Sequence, residues 1–151
     1  MYEIIYLGME FDFMTRREAR ESAVELIFEQ DFKKDQNTEE TIENAAEVRE
    51  KKYSGFAKKL FCNAWEKRGE IDEMISKASE KWDIDRISKT ALAVSRIATY
   101  EIMFEESIPS SVSINEALEI LKHFGDFESV SFVNGLLGKI AENTEKNSSE
   151  E

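Results

Sequence analysis

Three arginines near the amino terminus are the residues whose type and spacing most clearly suggest chemistry. Arg16, Arg17 and Arg20 lie close together in a chain that is otherwise acidic, with 20 Lys+Arg against 32 Asp+Glu and a formal net charge of -12. The planar guanidinium group donates paired hydrogen bonds to phosphate, and phosphate contacts supply most of the non-specific affinity for nucleic acids. The cluster is therefore a candidate for a local nucleic-acid-binding patch, although on its own it is ambiguous. A solvated helix face without a ligand is the alternative.

Motifs for catalysis and metal binding are missing from the sequence. It contains no glycine-rich phosphate loop, no pair of histidines and no cluster of Cys and His. The single histidine, His123, is expected at the surface, and the single cysteine, Cys62, is expected to be a small buried apolar residue. Asp83 and Asp85 are expected to cap a helix rather than to hold a metal ion. The sequence thus predicts a protein that is not an enzyme and needs no cofactor or metal.

The same composition indicates where the protein works. One cysteine cannot form an internal disulfide, which favours a reducing, cytoplasmic location. Residues 1–13 contain three acidic residues and no Lys or Arg, whereas a secretory signal needs a basic start and an unbroken apolar run. No apolar stretch approaches the roughly 20 residues of a membrane span. We therefore expect a cytoplasmic protein without a membrane segment.

Helical periodicity runs through most of the chain, and one proline and six glycines leave few turn signals. Thr15 and Glu18 form a capping box, which predicts a first helix over Arg16–Phe32 and places the arginines in its first turns. Ser113 and Glu116 have the same spacing and predict a second capping box. These patterns predict an all-α protein of about six to seven helices. The other segments are a loop or weak helix over 33–44, helices over 53–69, 72–82, 87–104 and 129–141, and glycine stops at Gly69 and Gly125.

The two ends of the chain differ from this pattern. Residues 1–13 have no helical periodicity, and Met14 directly precedes the first helix signal. We expect residues 1–13 to be an amino-terminal extension, with the question whether it belongs to the fold left open. Residues 144–151 are polar and acidic and predict a disordered tail.

Motifs in the carboxyl-terminal half carry a family resemblance. Their order and spacing resemble the bacterial transcription antitermination factor family NusB, and residues 16–20 are similar to that family's arginine-rich motif. The similarity covers roughly residues 15–143. The elements that carry it are Arg96–Glu101, Pro109, Val112–Ala117 with its Asn-Glu-Ala, Lys122–Gly125, and Phe132–Leu137 with its Phe-Val-Asn-Gly.

The resemblance implies a fold, partners and a set of site residues. It implies one NusB-like domain over residues 14–143, made of two small helical bundles side by side, about 14–69 and about 70–143. Its implied partners are single-stranded boxA-type RNA of ribosomal-RNA leader transcripts, the ribosomal protein NusE and, indirectly, other Nus factors and RNA polymerase. Single-stranded RNA is recognised by stacking and by polar groups that read base edges. The residues that the resemblance assigns to RNA binding are Arg16, Arg17, Arg20, Lys122, Phe124, Phe132 and Asn134.

Other interpretations stay open at this point. Core packing is the alternative role for Phe124 and Phe132, and satisfying buried backbone near helix ends is the alternative for Asn134. The net charge of -12 predicts weak RNA binding by the protein alone, so that a basic partner would supply much of the attraction. The acidic segment 39–80, with its aromatic residues over 53–61, is the expected docking face for this basic partner.

A helical interaction module without RNA binding is one alternative function for the whole protein. A NusB-like targeting domain of a ribosomal-RNA cytosine methyltransferase is another, and would need a cofactor-binding α/β domain downstream. A homodimer that covers the arginines would be an inactive state, although no residue demands it.

Overall fold

The computed structural model describes residues 5–6, 9–10, 13–80 and 83–144. Over these residues the chain forms seven α-helices, which confirms the all-α class. The residues group into two compact units that divide between Trp65 and Glu66. The sequence interpretation placed this division near Gly69. The helices are α1 (Arg16–Phe32), α2 (Thr38–Arg49), α3 (Gly55–Glu66), α4 (Arg68–Ser79), α5 (Lys89–Phe104), α6 (Ser110–His123) and α7 (Val130–Glu142).

Short elements complete the described part of the chain. Ile5–Tyr6 and Met9–Glu10 form β1 and β2, an antiparallel pair of two-residue strands within the amino-terminal extension. Single 3-10 turns cover Ile84–Arg86 before α5 and Phe127–Ser129 before α7. The last two residues of the helix predicted over 72–82, and the acidic tail beyond Thr144, lie outside the described residues. The predictions made for them stay predictions.

The amino-terminal unit forms its core from α1, α2 and α3. Helix α1 has the predicted bounds, because the predicted capping box closes its first turn. Helix α2 is a regular α-helix of 12 residues, where a loop or weak helix was expected over 33–44. Asn37 caps it by accepting from the Glu40 backbone N–H at 2.8 Å, and its buried residues, Thr41 and Ala45, are too small or polar to give a strong hydrophobic stripe. The apolar residues buried in this unit include Ala19, Ala23, Leu26, Ile27, Ala57, Leu60, Phe61, Ala64 and Trp65.

The carboxyl-terminal unit packs α4, α6 and α7 around α5. Every residue from Ala91 to Ile102 in α5 is buried, including the charged Arg96 and Glu101. Arg96 forms a bidentate ion pair with Asp72 of α4, at 2.8 Å for both bonds, and Ser113 of α6 donates to Glu101 at 2.8 Å. Both charged residues of α5 therefore make structural polar contacts.

Two helix-boundary predictions in this part of the chain are wrong. Gly69 does not end a helix: α3 ends at Glu66, and Gly69 is the second residue of α4. Ser113 does not cap α6, which begins three residues earlier with Pro109 at its N-cap position. The Ser113 hydroxyl is used in the tertiary bond to Glu101 instead. Gly125, by contrast, follows the end of α6 with φ of 84°, a left-handed conformation that favours glycine, as predicted.

Candidate nucleic-acid interface

The first turn of α1 holds the arginine cluster in a fixed local geometry. Thr15 accepts from the Glu18 backbone N–H at 3.0 Å, and the Glu18 carboxylate accepts from the Thr15 backbone N–H at 3.0 Å. This reciprocal cap satisfies two of the helix's amino-terminal donors and fixes where the following side chains leave the backbone. Arg16 and Arg17 are exposed at this turn, close to the positive end of the helix dipole. The arrangement suits a negatively charged ligand.

Arg20 does not share this exposure. Its side chain is only 7% exposed, although it lies one turn along α1 from Arg16. A guanidinium with so little accessible surface offers at most an edge to a ligand. The structure therefore separates the predicted cluster into two exposed members and one buried member.

Arg16 is in contact with an aromatic ring from α3. Its guanidinium carbon lies 4.0 Å from the centroid of the Phe56 ring, within the range of a cation–π interaction. Phe56 is half-buried at the second position of α3. The sequence interpretation counted Phe56 only among the aromatic residues over 53–61 and missed this contact, because nothing in the local sequence connects residue 56 with residue 16.

Other cations of the same unit serve the structure. Arg49 pairs with Glu29 at 2.6 Å, and Lys51 pairs with Glu25 at 3.0 Å, so both tie the end of α2 and the following turn to α1. Burial lowers the pKa of Arg49, but the hydrogen bond and the negative charge of Glu29 outweigh it, so the pKa rises above its ordinary value. Burial, followed by the charge of Glu25, raises the pKa of Tyr53.

The turn between α6 and α7 presents a second set of candidate residues, in the carboxyl-terminal unit. Lys122 and Phe124 are exposed at the end of α6, and the ring of Phe124 stacks on His123 with centroids 5.8 Å apart and an interplanar angle of 21°. Asp126 fixes the turn that follows, since it accepts from Ser88 at 3.1 Å and from Ser129 at 2.9 Å. The result is an aromatic pair beside a cation on a restrained turn.

Phe127 extends this aromatic surface and was not singled out from the sequence. Its side chain is 66% exposed, which is unusual for a phenylalanine, and it begins the 3-10 turn that Asp126 anchors. Phe124 is 37% exposed. Core packing therefore does not account for either ring. The one available signal was that Phe127 lies outside both flanking helical stripes.

The two remaining candidates lie on α7. Asn134 is exposed, so it does not satisfy buried backbone. Phe132 is half-buried and lines an open groove of about 580 Å³ between the end of α4 and α7, together with Gly135 and the paired Glu80 and Lys139. Asn134 thus remains accessible to a ligand. The ring of Phe132 is partly packed against the protein and partly exposed in the groove.

The expected docking segment is less available than its composition suggested. Of its aromatic residues, Tyr53 is 2% exposed and Phe61 is fully buried in the amino-terminal unit. These two rings stabilise the core instead. The acidic residues Glu39, Glu43 and Glu73 of the segment are exposed.

The other residues that were weighed for chemistry have ordinary surroundings. Trp65 is buried, and His123 is exposed, as expected. Cys62, which was expected to be buried, is partly exposed, and its thiol contacts the Thr38 hydroxyl at 3.6 Å. Within residues 13–80 and 83–144, no group of three or more His, Cys, Asp or Glu side chains is arranged to hold a metal ion. None of the helices described combines the length and apolar character needed to cross a membrane.

Comparison with known proteins decides the family. The protein-family model described as "NusB family" matches residues 17–142, which is most of the chain. The chain belongs to the NusB family. Among its relatives, a protein named transcription antitermination protein NusB from Clostridium botulinum (strain Kyoto / Type A2) is 38% identical over 143 residues, covering 84% of this chain and 99% of the relative. A Bacillus subtilis (strain 168) protein of the same name is 41% identical over 133 residues, covering 88% and 99%.

Solved structures of NusB proteins share the fold. NusB from T. maritima superposes with a TM-score of 0.74 at 34% sequence identity, covering 89% of this chain and 98% of that one. A chain in the crystal structure of the antitermination factors NusB and NusE in complex with dsRNA superposes with a TM-score of 0.74 at 26% identity, covering 85% and 96%. The resemblance that the sequence motifs suggested is thus confirmed by both sequence and structure.

Proposed function

We propose that this NusB-family chain is a non-catalytic transcription antitermination factor that binds RNA together with the ribosomal protein NusE. The proposed RNA is the boxA-like single strand of ribosomal-RNA leader transcripts. The observation that carries the proposal is the pair of exposed arginines, Arg16 and Arg17, on the capped first turn of α1 in a chain of this family. A cytoplasmic location, where transcripts are made in bacteria, belongs to the same proposal.

Each candidate residue has a chemical task in this proposal. Arg16 and Arg17 donate forked hydrogen bonds to phosphates, and Lys122 adds a point charge. Phe124 and Phe132 offer ring faces to unstacked bases, and the Asn134 amide can both donate to and accept from a base edge. Arg20 supports the arginine patch from its buried position and adds at most an edge contact.

Charge explains why a partner belongs in the mechanism. A net charge of -12 repels a polyanion at long range, so the arginines attract phosphate only locally. A basic partner bound to the acidic surface would reduce this repulsion and extend the contact with RNA. The relative solved as a complex of NusB and NusE with dsRNA supports both the partner and the ligand class.

Two alternatives make different predictions. A helical interaction module without RNA binding would bind NusE and leave RNA untouched. A targeting domain of a ribosomal-RNA methyltransferase would act on RNA as part of an enzyme. The curated relatives are matched over 99% of their own length and carry the name of an antitermination protein, which favours the proposed function over the methyltransferase.

The test is an RNA titration with and without NusE. Fluorescence anisotropy would follow a labelled boxA-like single strand, a scrambled strand and a duplex of the boxA-like sequence. We expect NusE to tighten binding of the boxA-like single strand at least ~10-fold, or about 1.4 kcal/mol, and to tighten the scrambled strand less. Equal affinity with and without NusE, or no RNA binding in either case, would support the interaction module instead.

A further inference from the structure

We propose that Phe56 is a positioning residue that holds the Arg16 guanidinium in the orientation used to contact RNA. The inference rests on the proposed function and adds a residue from a different helix to the RNA site. The guanidinium carbon of Arg16 lies 4.0 Å from the centroid of the Phe56 ring, which brings the two groups into van der Waals contact.

Both partners of this contact are attached to fixed backbone. On α1, Arg16 lies between Thr15 and Glu18, the two residues of the capping box. On α3, Phe56 lies between the buried Ser54, whose hydroxyl accepts from the Ala57 backbone N–H at 3.2 Å, and the fully buried Ala57. The ring is therefore a stable platform, and the guanidinium above it has a restricted position.

Restricting an arginine matters because its long side chain otherwise loses much rotamer freedom on binding. A guanidinium already resting on a ring has given up part of that freedom before RNA arrives. The guanidinium carbon lies over the ring, so a base or a phosphate would approach the group from the side away from Phe56.

The test is a double-mutant cycle on RNA affinity, measured in the presence of NusE. The four proteins are the wild type, Arg16→Ala, Phe56→Leu and the double variant, and each is also unfolded in urea. We expect Phe56→Leu to weaken RNA binding by about 2- to 5-fold in the wild-type background. In the Arg16→Ala background the same substitution should have no further effect, because the group it positions is gone. Phe56→Tyr keeps the ring and should retain wild-type affinity.

The outcomes separate the inference from the proposed function. If Arg16→Ala weakens binding while Phe56→Leu does not, or if Phe56→Leu costs the same in both backgrounds, Phe56 does not position Arg16 and the RNA site stands without it. If Arg16→Ala leaves affinity unchanged in a folded protein, Arg16 leaves the site and the inference falls with it.

A measurement on the wild type covers the case in which Phe56→Leu does not fold. The Arg16 Nε–H resonance, assigned by its disappearance in Arg16→Lys, should be shifted upfield by the ring current of Phe56 and should move again when RNA is added. A resonance at its ordinary position in the free protein would overturn the proposal.

Discussion

The ion pair between Asp72 and Arg96 gives the sharpest prediction about what stabilises the carboxyl-terminal unit. Arg96 is 7% exposed and Asp72 30% exposed, and two 2.8 Å bonds join them between α4 and α5. Asp72→Asn keeps the shape of the side chain but removes the charge that balances the buried guanidinium. Breaking a buried pair from one side costs about 3–5 kcal/mol, and water at the partly exposed Asp72 reduces this. We expect a loss of about 2–3 kcal/mol.

Urea denaturation followed by circular dichroism measures this loss. With a slope of about 2 kcal/mol per molar urea, the midpoint should fall by about 1–1.5 M. Glu73→Gln removes an exposed charge next to Asp72 on α4 and should change stability by less than about 0.5 kcal/mol.

A second substitution tests the reason for the loss. If the cost of Asp72→Asn comes from an unbalanced buried charge, then adding Arg96→Met should restore much of the stability, because a flexible apolar side chain replaces the guanidinium. The reasoning would be refuted if Asp72→Asn were as stable as the wild type. It would also be refuted if Asp72→Asn combined with Arg96→Met were less stable than Asp72→Asn alone.

Three further predictions follow from other contacts. Ser113→Ala removes a donor from the buried Glu101 carboxylate and should lower stability in urea by about 1.5–3 kcal/mol. Replacing both Arg16 and Arg17 with alanine should reduce the salt dependence of single-strand RNA binding by about 1.4 in log-log slope, at about 0.7 per phosphate contact, and an unchanged slope would contradict phosphate binding there. The raised pKa of Tyr53 means that the folded state favours the neutral phenol more than the unfolded state does. The resulting contribution of Tyr53 to the free energy of unfolding is fully present below about pH 10 and is lost as pH rises through the folded pKa. As pH rises above about 10, Tyr53→Phe should therefore lose less stability than the wild type. Identical profiles of stability against pH for the two proteins would contradict this prediction.

The sequence was a good guide where structure depends on neighbouring residues. The Thr15–Glu18 box closes within one turn, so its spacing alone located the start of α1. Helix α2 was underestimated because its inward residues, Thr41 and Ala45, leave a faint periodic signal. Stabilisation of α2 comes from a capping asparagine and from packing against α1, and only the first of these can be read locally.

Tertiary partners explain the remaining differences. Ser113 has the same spacing to an acidic residue as Thr15, yet its hydroxyl is bonded to Glu101 of another helix. Arg20 shares a residue type with Arg16 but is buried, and the contact of Arg16 with Phe56 spans forty positions of sequence. Residue type and spacing were enough to identify Arg16 and Arg20 as candidates for the RNA site and Ser113 as a candidate helix cap. Their exposure and their partners depend on how the helices pack.

The most direct test of the account compares two pairs of substitutions that remove the same charge from the amino-terminal unit. Arg16→Ala with Arg17→Ala removes the exposed arginines of the capped turn, whereas Lys33→Ala with Lys52→Ala removes two exposed lysines elsewhere. With NusE present and at one salt concentration, we expect the arginine pair to weaken boxA-like RNA binding at least ~10-fold and the lysine pair to leave it within about 2-fold. Equal losses from both pairs would mean that RNA responds to overall charge alone, and no loss from the arginine pair would place the RNA on another surface.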